Sequence, residues 1–302
     1  MLVKFAVQDF MDERELMNVS ENTLISYRSF FREFQSYLRE NDIMDASDIS
    51  TPIVKQYLTY CKKERKNKPA TVNTKLKHLK AFFNHLVENE YVQKNPCLKI
   101  TKQITDERIE VFSDAHIRQM LRHYRRNKRK DHEFTSYRNI VIIVILMGTG
   151  IRLGELHGIK WSDITEDTLT IFGKNRKTET VPLTSKVYNE LMDLKAYYER
   201  YFDREVEYVF IHRNGKQMSY DSLGEVFKKL QMVMNFKDVR LSAHTFRHTF
   251  AHRFLMNGGD VFTLQKILRH SSLSMTEKYL ALWGNALYEQ NNKFNPLNNI
   301  DI

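Results

Sequence analysis

The segment "LSAHTFRHTFAHRFLMNGGD" sets a guanidinium among imidazoles: His244 and His248 are one helical turn apart and Arg247 projects beside them. This trio suits a phosphoryl group, because arginine can donate two parallel hydrogen bonds and histidine can donate or shuttle a proton. Much earlier, "ILMGTGIRLGELHGIKW" places Arg152 just after Gly148 and Gly150 and three residues before Glu155. If a helix opens there, its free backbone N–H groups and the guanidinium converge on an anion, and Glu155 can hold or orient the arginine. Alone, that motif is equally a structural Arg–Glu pair; the second cation at Arg247 makes it a candidate site. His270, in "LQKILRHSSLSMTEKYLAL", follows a helix marked by Leu264, Ile267 and Leu268, and Tyr279 lies on the next helical stretch.

Two other chemistries compete for these residues. The β-branched run Ile140 to Ile145 ahead of Gly148, Gly150 and Gly154 imitates the strand, glycine turn and helix of a nucleotide-binding fold. By periodicity it is a strand or a buried helix. The glycines read GxGxxxG and no alternating strand–helix units follow, which favours a buried helix ending in "GTG" and a new helix near Arg152. His244, His248 and His252 also invite a metal, since histidines four apart can share a zinc. The outer two stand about 12 Å apart along a helix and there is no HExxH, so no metal site and no cofactor is assigned. His252 reads as an ordinary surface or packing histidine.

Elements must bring these scattered groups together. After Ser20, a helix cap by type, Leu24, Tyr27, Phe31, Phe34 and Leu38 recur at helical spacing, as do Val72, Leu76, Leu79, Phe83 and Leu86. On the second of these helices Lys77 and Lys80 point away from the apolar stripe, with Lys75 at its border. Asp114 opens a helix running into the basic "LRHYRRNKRK"; "TLTIFGK" and "TETVPL" flank a polar turn as a hairpin, and "EYVFIHRNG" adds a further candidate strand. Helices return after Tyr220, and Phe246, Phe250 and Phe254 form an apolar ridge. The sequence therefore predicts a mainly α protein in two domains, residues 1–107 small and helical, residues 108–302 mixed but mostly helical with a small antiparallel sheet. The linker is expected near residues 96–108, around "NPCLKITKQITDERIE".

Charge suggests the partner. Lys and Arg number 47 against 37 Asp and Glu, a formal +10, which favours a polyanion. The excess is local: residues 1–60 carry 6 basic and 10 acidic side chains, residues 61–102 carry 11 and 3. Lys68, Lys75, Lys77 and Lys80 are accordingly candidates for contacting DNA phosphates, as are Arg176 and Lys177 in the hairpin turn. Cys61 and Cys97 have neither metal-ligand nor disulfide-scaffold spacing, the N-terminus turns acidic before any signal-peptide core, and Ile140 to Met147 is too short to span a bilayer. A cytoplasmic location without membrane attachment is expected.

Taken together, "GTGIRLGELHGIKWSDI", "FGKNRKTETVPL", "HTFRH" and "LRHSSLSMTEKY", in this order, resemble the tyrosine recombinase (phage integrase) family, including its Xer-type members. The resemblance extends from about Arg108 to Leu282, and "TLISYRSFFREFQSYL" through "LVENEYVQKNPC" is similar to that family's N-terminal core-binding domain. It implies that Arg152 and Arg247 clamp a phosphate, His244 and His270 partner them, Tyr279 is the nucleophile and Lys174 is the hairpin lysine, with Lys177 as its rival. Glu155 and His248 are implied as supports. Arg269 departs from the pattern, since many relatives carry glycine before this histidine; it would alter the turn or add a DNA-backbone contact.

The resemblance further implies a metal-free, ATP-free site-specific recombinase acting on double-stranded DNA with an inverted-repeat core site. It implies a 3′-phosphotyrosyl intermediate and a Holliday junction, a monomer or weak dimer in free solution, a homotetramer on two DNA sites, and room for an accessory factor. After the nucleophile, "LALWGNALYEQNNKFNPL" reads as an apolar helical tail that packs on its own domain or docks on a neighbouring subunit. A non-catalytic DNA-binding protein, a type IB topoisomerase and a metal phosphodiesterase are the alternatives.

Overall fold

The computed structural model describes residues 1–105, 109–128, 133–172, 178–270, 272–280, 291 and 295. The chain forms two compact units, Met1–Glu107 and Arg108–Ile302.

The first unit is built from α1 (Val3–Leu16), α2 (Glu21–Glu40), α3 (Thr51–Lys63) and α4 (Pro69–Glu88). Leu24, Phe31, Phe34 and Leu38 of α2 and Val72, Leu76, Leu79, Phe83 and Leu86 of α4 are all buried. Phe10, Phe31 and Phe82 meet edge to face with ring centroids 5.0–5.7 Å apart, and each such pair adds about 0.5–1.5 kcal/mol beyond area burial. Pro69 opens α4, where its missing N–H costs nothing. Ser20 stands at the N-cap of α2, yet its hydroxyl bonds Thr23 Oγ1 (2.9 Å) instead of a backbone N–H. Part of the segment assigned to the linker belongs to this unit: Cys97 and Ile100 are buried in its core, and Asn73 bonds both the N–H and the carbonyl of Gln103 at 2.8 Å.

The second unit centres on α6 (Glu133–Thr149), packed by α5 (Asp114–Lys128), α8 (Ser185–Phe202) and α10 (Ala243–Met256). Ile140, Val141, Ile142, Ile143, Ile145 and Leu146 are all buried, so the run lacks a polar stripe because neighbours cover it on several sides. This settles the ambiguous segment as helix, and with no strand before "GTG" the nucleotide-turn alternative falls. Gly148 permits the crossing of α8: a Cβ there would overlap Val187 Cγ2.

The unit also contains α7 (Leu153–His157), the hairpin strands β1 (Thr168–Phe172) and β2 (Thr178–Pro182), and α9 (Tyr220–Met234) with α11 (Val261–Leu268). The strands are antiparallel, with Leu169 opposite Val181 and Ile171 opposite Glu179. Leu169, Ile171 and Val181 face the core, as period-two alternation requires. The third candidate strand does not form; around 208–217 only isolated bridges occur, Lys160 with Tyr208 and Ile211 with Gln217. Last comes α12 (Ser274–Leu280). Among the described residues no helix is long and apolar enough to cross a membrane.

Candidate active site

The C-terminal end of α6 starts the site. Gly150 adopts φ +63°, closing the helix with its N–H on the Leu146 carbonyl, and a side chain there would strike Phe250 and Leu268 at 2.6 and 2.8 Å. Its carbonyl accepts from Arg247 Nη1 (2.7 Å), while Arg247 Nη2 donates to the Leu268 carbonyl (2.5 Å). Two main-chain oxygens thus hold a guanidinium that is only 2% exposed. Burial, seconded by the Arg152 charge, pulls Arg247 down to about 10, still cationic at neutral pH.

Arg152 is held differently. It occupies the N-cap of α7, where the Glu155 carboxylate accepts its backbone N–H (2.7 Å) and its Nη1 (2.8 Å). Its side chain is 42% exposed, with Nη2 3.5 Å from the Arg269 carbonyl. Burial pushes the Glu155 carboxyl up, but the hydrogen bonds from Arg152 and the Arg269 charge outweigh it and hold the group low, hence ionised. One arginine is therefore fixed inside the fold and the other leans outward on a carboxylate.

α12 carries Tyr279 back onto α10. The Tyr279 hydroxyl lies 2.9 Å from His248 Nδ1, and the ring packs edge-on to His248 (5.4 Å, 62°) and parallel to His270 (6.4 Å, 7°). Burial raises the phenol while Arg247 and Arg152 pull it the other way, leaving it above its ordinary value. His270 is buried with Nδ1 2.8 Å from Thr276 Oγ1; desolvation first, then the charges of Arg247, Arg152 and Arg269, push it down to about 4. His244 has its ring against His248 at 4.1 Å, and is lowered by the water its ring loses and by Arg247 and Arg152. Two guanidiniums, neutral imidazoles and a phenol with a proton acceptor in reach can bind a phosphodiester anion and present an oxygen nucleophile to it.

The structure brings together Arg152, Glu155, His244, Arg247, His248, His270 and Tyr279. Lys174, Arg176 and Lys177 lie outside the described residues, as does the tail from 281 onward apart from Asn291 and Asn295. The phenol's hydrogen-bond partner is His248. The Arg269 side chain is 5% exposed and ion-paired to Glu155 (2.6 Å) and Glu179 (3.4 Å). Sequence reasoning missed this pairing, and also the two carbonyls that seat Arg247. Neither has a side-chain signature, and the backbone of Arg269 is left-handed, φ +55°.

In the first unit Lys68 and Lys77 are exposed. Lys75 is not on that face: it is buried, paired to Glu33 and 3.5 Å from Cys61 Sγ. Position 75 lies three residues after Val72 and four before Leu79, so it shares their inward side. Lys80 donates to the Ile100 carbonyl (2.9 Å), which occupies it within the unit.

Residues 110–284 match the Phage integrase family, and residues 2–102 match the Phage integrase SAM-like domain. A tyrosine recombinase XerC from Pediococcus pentosaceus is 27% identical over 286 residues, covering 92% of this chain and 93% of the relative. Among solved structures, the Tn1549 transposon integrase in complex with transposon right end DNA is similar at a TM-score of 0.75 and 19% identity, covering 95% of this chain and 97% of that one. A lambda integrase tetramer bound to a Holliday junction gives 0.73 at 16% identity, covering 90% and 78%. These structural likenesses concern the fold.

Proposed function

Because the chain belongs to the phage integrase family, we infer that it is a site-specific DNA recombinase, cutting and rejoining double-stranded DNA through a tyrosine. The observation that carries the inference is the Tyr279 hydroxyl 2.9 Å from His248 Nδ1, beside two differently anchored arginines.

The chemistry follows from the residues. A phosphodiester resists attack because charge builds on its non-bridging oxygens and an alkoxide must leave. Arg247, immobilised by the Gly150 and Leu268 carbonyls, and Arg152, steadied by Glu155, supply positive charge where it develops, without reorganisation. His248 with its proton on Nε2 accepts the phenolic proton at Nδ1 as Tyr279 Oη bonds to phosphorus and the bond to the 5′ oxygen breaks. The hairpin lysine, Lys174 or Lys177, protonates the departing 5′ oxygen. The 3′-phosphotyrosyl bond conserves the energy of the broken ester, so a second 5′-hydroxyl restores a phosphodiester without ATP. No step calls on a metal or cofactor.

The lambda integrase relative forms a tetramer on a Holliday junction; the same assembly, on two inverted-repeat core sites, is assigned to this chain, starting from a monomer or weak dimer and with an accessory factor accommodated. The reaction is placed in the cytoplasm. Phosphate contacts in the first unit fall to Lys68 and Lys77, the exposed members of their set.

The test is a supercoiled plasmid carrying either one or two copies of the chain's own site, taken from inverted repeats flanking its gene. A recombinase converts the two-site plasmid into new circles. Relaxation of the one-site plasmid with no new circles from the two-site plasmid would mark a topoisomerase instead.

A further inference from the structure

We propose that the cavity lined by α5, α6, α9 and the segment around His212 is a second anion site, suited to a small phosphomonoester with an apolar body and separate from the site that holds Tyr279. The cavity encloses about 850 Å³, and Arg138 lines it. Arg138 lies twelve residues before Gly150 in the chain, about 18 Å along α6 from the end that seats Arg247.

The fate of buried cations in this chain points to a ligand. Arg138 is 5% exposed, and an arginine keeps its charge when buried. Its Nη1 donates to the Ile211 carbonyl (2.9 Å), and its Nε and Nη2 donate to Asn139 Oδ1 (3.2 and 3.1 Å). These acceptors are neutral, and among the described residues no carboxylate pairs with it. A buried charge ordinarily has a counterion, and the buried Lys75 and Arg269 have theirs in Glu33 and Glu155. Arg247 is the parallel case: it too is buried on main-chain oxygens without a carboxylate partner, and it is the cation to which a phosphate is assigned above.

The rest of the lining defines the ligand. Arg213 and Lys229 are exposed and add positive charge at the mouth. Burial, seconded by the charge of Arg138, lowers His212, so its ring is neutral at pH 7 and has an N–H to donate. Glu225 is the one carboxylate among the described lining residues, and it is spent on Lys228 (2.6 Å). Met218, Val226 and Leu230 are buried and form an apolar face. A recessed guanidinium with an apolar face beside it takes the terminal phosphate of a small ester, whereas a phosphate on the surface of a broad duplex does not reach in.

The experiment titrates the full chain with phenyl phosphate, inorganic phosphate and phenol, following the His212 ring by NMR, its signal identified by loss in His212→Asn. Phenyl phosphate should shift the signal saturably and raise the apparent pKa of His212, because an anion on Arg138 offsets the charge that lowers it. Inorganic phosphate should bind about tenfold more weakly for want of the apolar face, and phenol should give no saturable shift. Arg138→Gln should weaken phenyl phosphate by at least about thirtyfold. Lys229→Ala, at an exposed position, should weaken it about threefold with Tm unchanged, which decides the matter if Arg138→Gln does not fold. Arg152→Gln should leave the affinity within about twofold, since the anion followed is not the one at Tyr279. No saturable shift, or a shift lost in Arg152→Gln and kept in Lys229→Ala, would overturn the proposal. So would displacement of phenyl phosphate by a short duplex without terminal phosphates, which would give the cavity to the DNA backbone.

Discussion

His248 Nδ1 and the Tyr279 hydroxyl lie 2.9 Å apart across the contact of α10 with α12, while His270, stacked parallel to the same phenol, spends its own Nδ1 on Thr276. The two imidazoles are therefore not equivalent. Under the proposed function, His248 accepts the phenolic proton and His270 is a neutral wall of the pocket that takes the phosphate.

Replacing His248 by Gln keeps a polar side chain but removes the base. Adduct formation should fall by about a hundredfold, the scale of a lost general base, with DNA affinity changed by less than about twofold. Single-turnover trapping, set beside a binding titration, measures both. A loss confined to binding would move His248 out of the chemistry.

The depressed His270 gives stability a pH dependence of known sign. An unfolded histidine protonates near 6.5 and this one near 4, so the unfolded chain binds the extra proton between those values. The stability that neutral His270 contributes is complete above about pH 6.5 and is lost as pH falls towards 4, by roughly 3 kcal/mol at most. His244 is shifted in the same direction, so the diagnostic is a difference: denaturant unfolding of wild type minus His270→Asn should shrink across that window. A difference that grows on acidification would contradict the assignment.

The two arginines should fail differently. Lysine at 247 cannot serve both the Gly150 and Leu268 carbonyls, so Arg247→Lys should lower stability by about 1–3 kcal/mol as well as abolish cleavage. Arg152→Lys, at a half-exposed position, should leave the melting temperature within a few degrees and lose only cleavage. Thermal melting alongside adduct assays separates the two.

Lys75 and Lys77, two residues apart, should part company in the same way. Lys75→Ala leaves Glu33 without its nearest cation inside the first unit and should destabilise it by about 3 kcal/mol, with the salt dependence of DNA binding unaltered. Lys77→Ala should leave melting unchanged and reduce the slope of log affinity against log salt by about 1. Equal slopes for wild type and Lys77→Ala would remove Lys77 from the DNA surface.

Most of this architecture is written in local pattern. The α2 and α4 stripes, the hairpin, and the His244–Arg247–His248 spacing depend on residues close in sequence, and periodicity exposes them. The Ile140–Ile145 run stayed ambiguous because its signal is burial alone, which α5, α8 and α10 supply from distant parts of the chain. The third strand failed for the complementary reason: "EYVFIHRNG" has strand composition but finds only isolated bridges. At the site, residue types were legible and partners were not. Nothing local tells that Arg247 sits on the carbonyls of residues 150 and 268, that Arg269 turns inward to Glu155 and Glu179, or that Lys75 turns in to Glu33. These are contacts across 21 to 114 residues of chain.

Peptide mapping of the trapped adduct decides whether Tyr279 becomes covalently joined to DNA. Wild-type protein incubated with a nicked duplex of its own site, with EDTA present, should yield a denaturation-resistant protein–DNA species whose only DNA-modified peptide contains Tyr279. Tyr279→Phe should bind the duplex and form none. An adduct that persists in Tyr279→Phe, or wild-type protein that binds its site specifically and never becomes joined to it, would contradict the account.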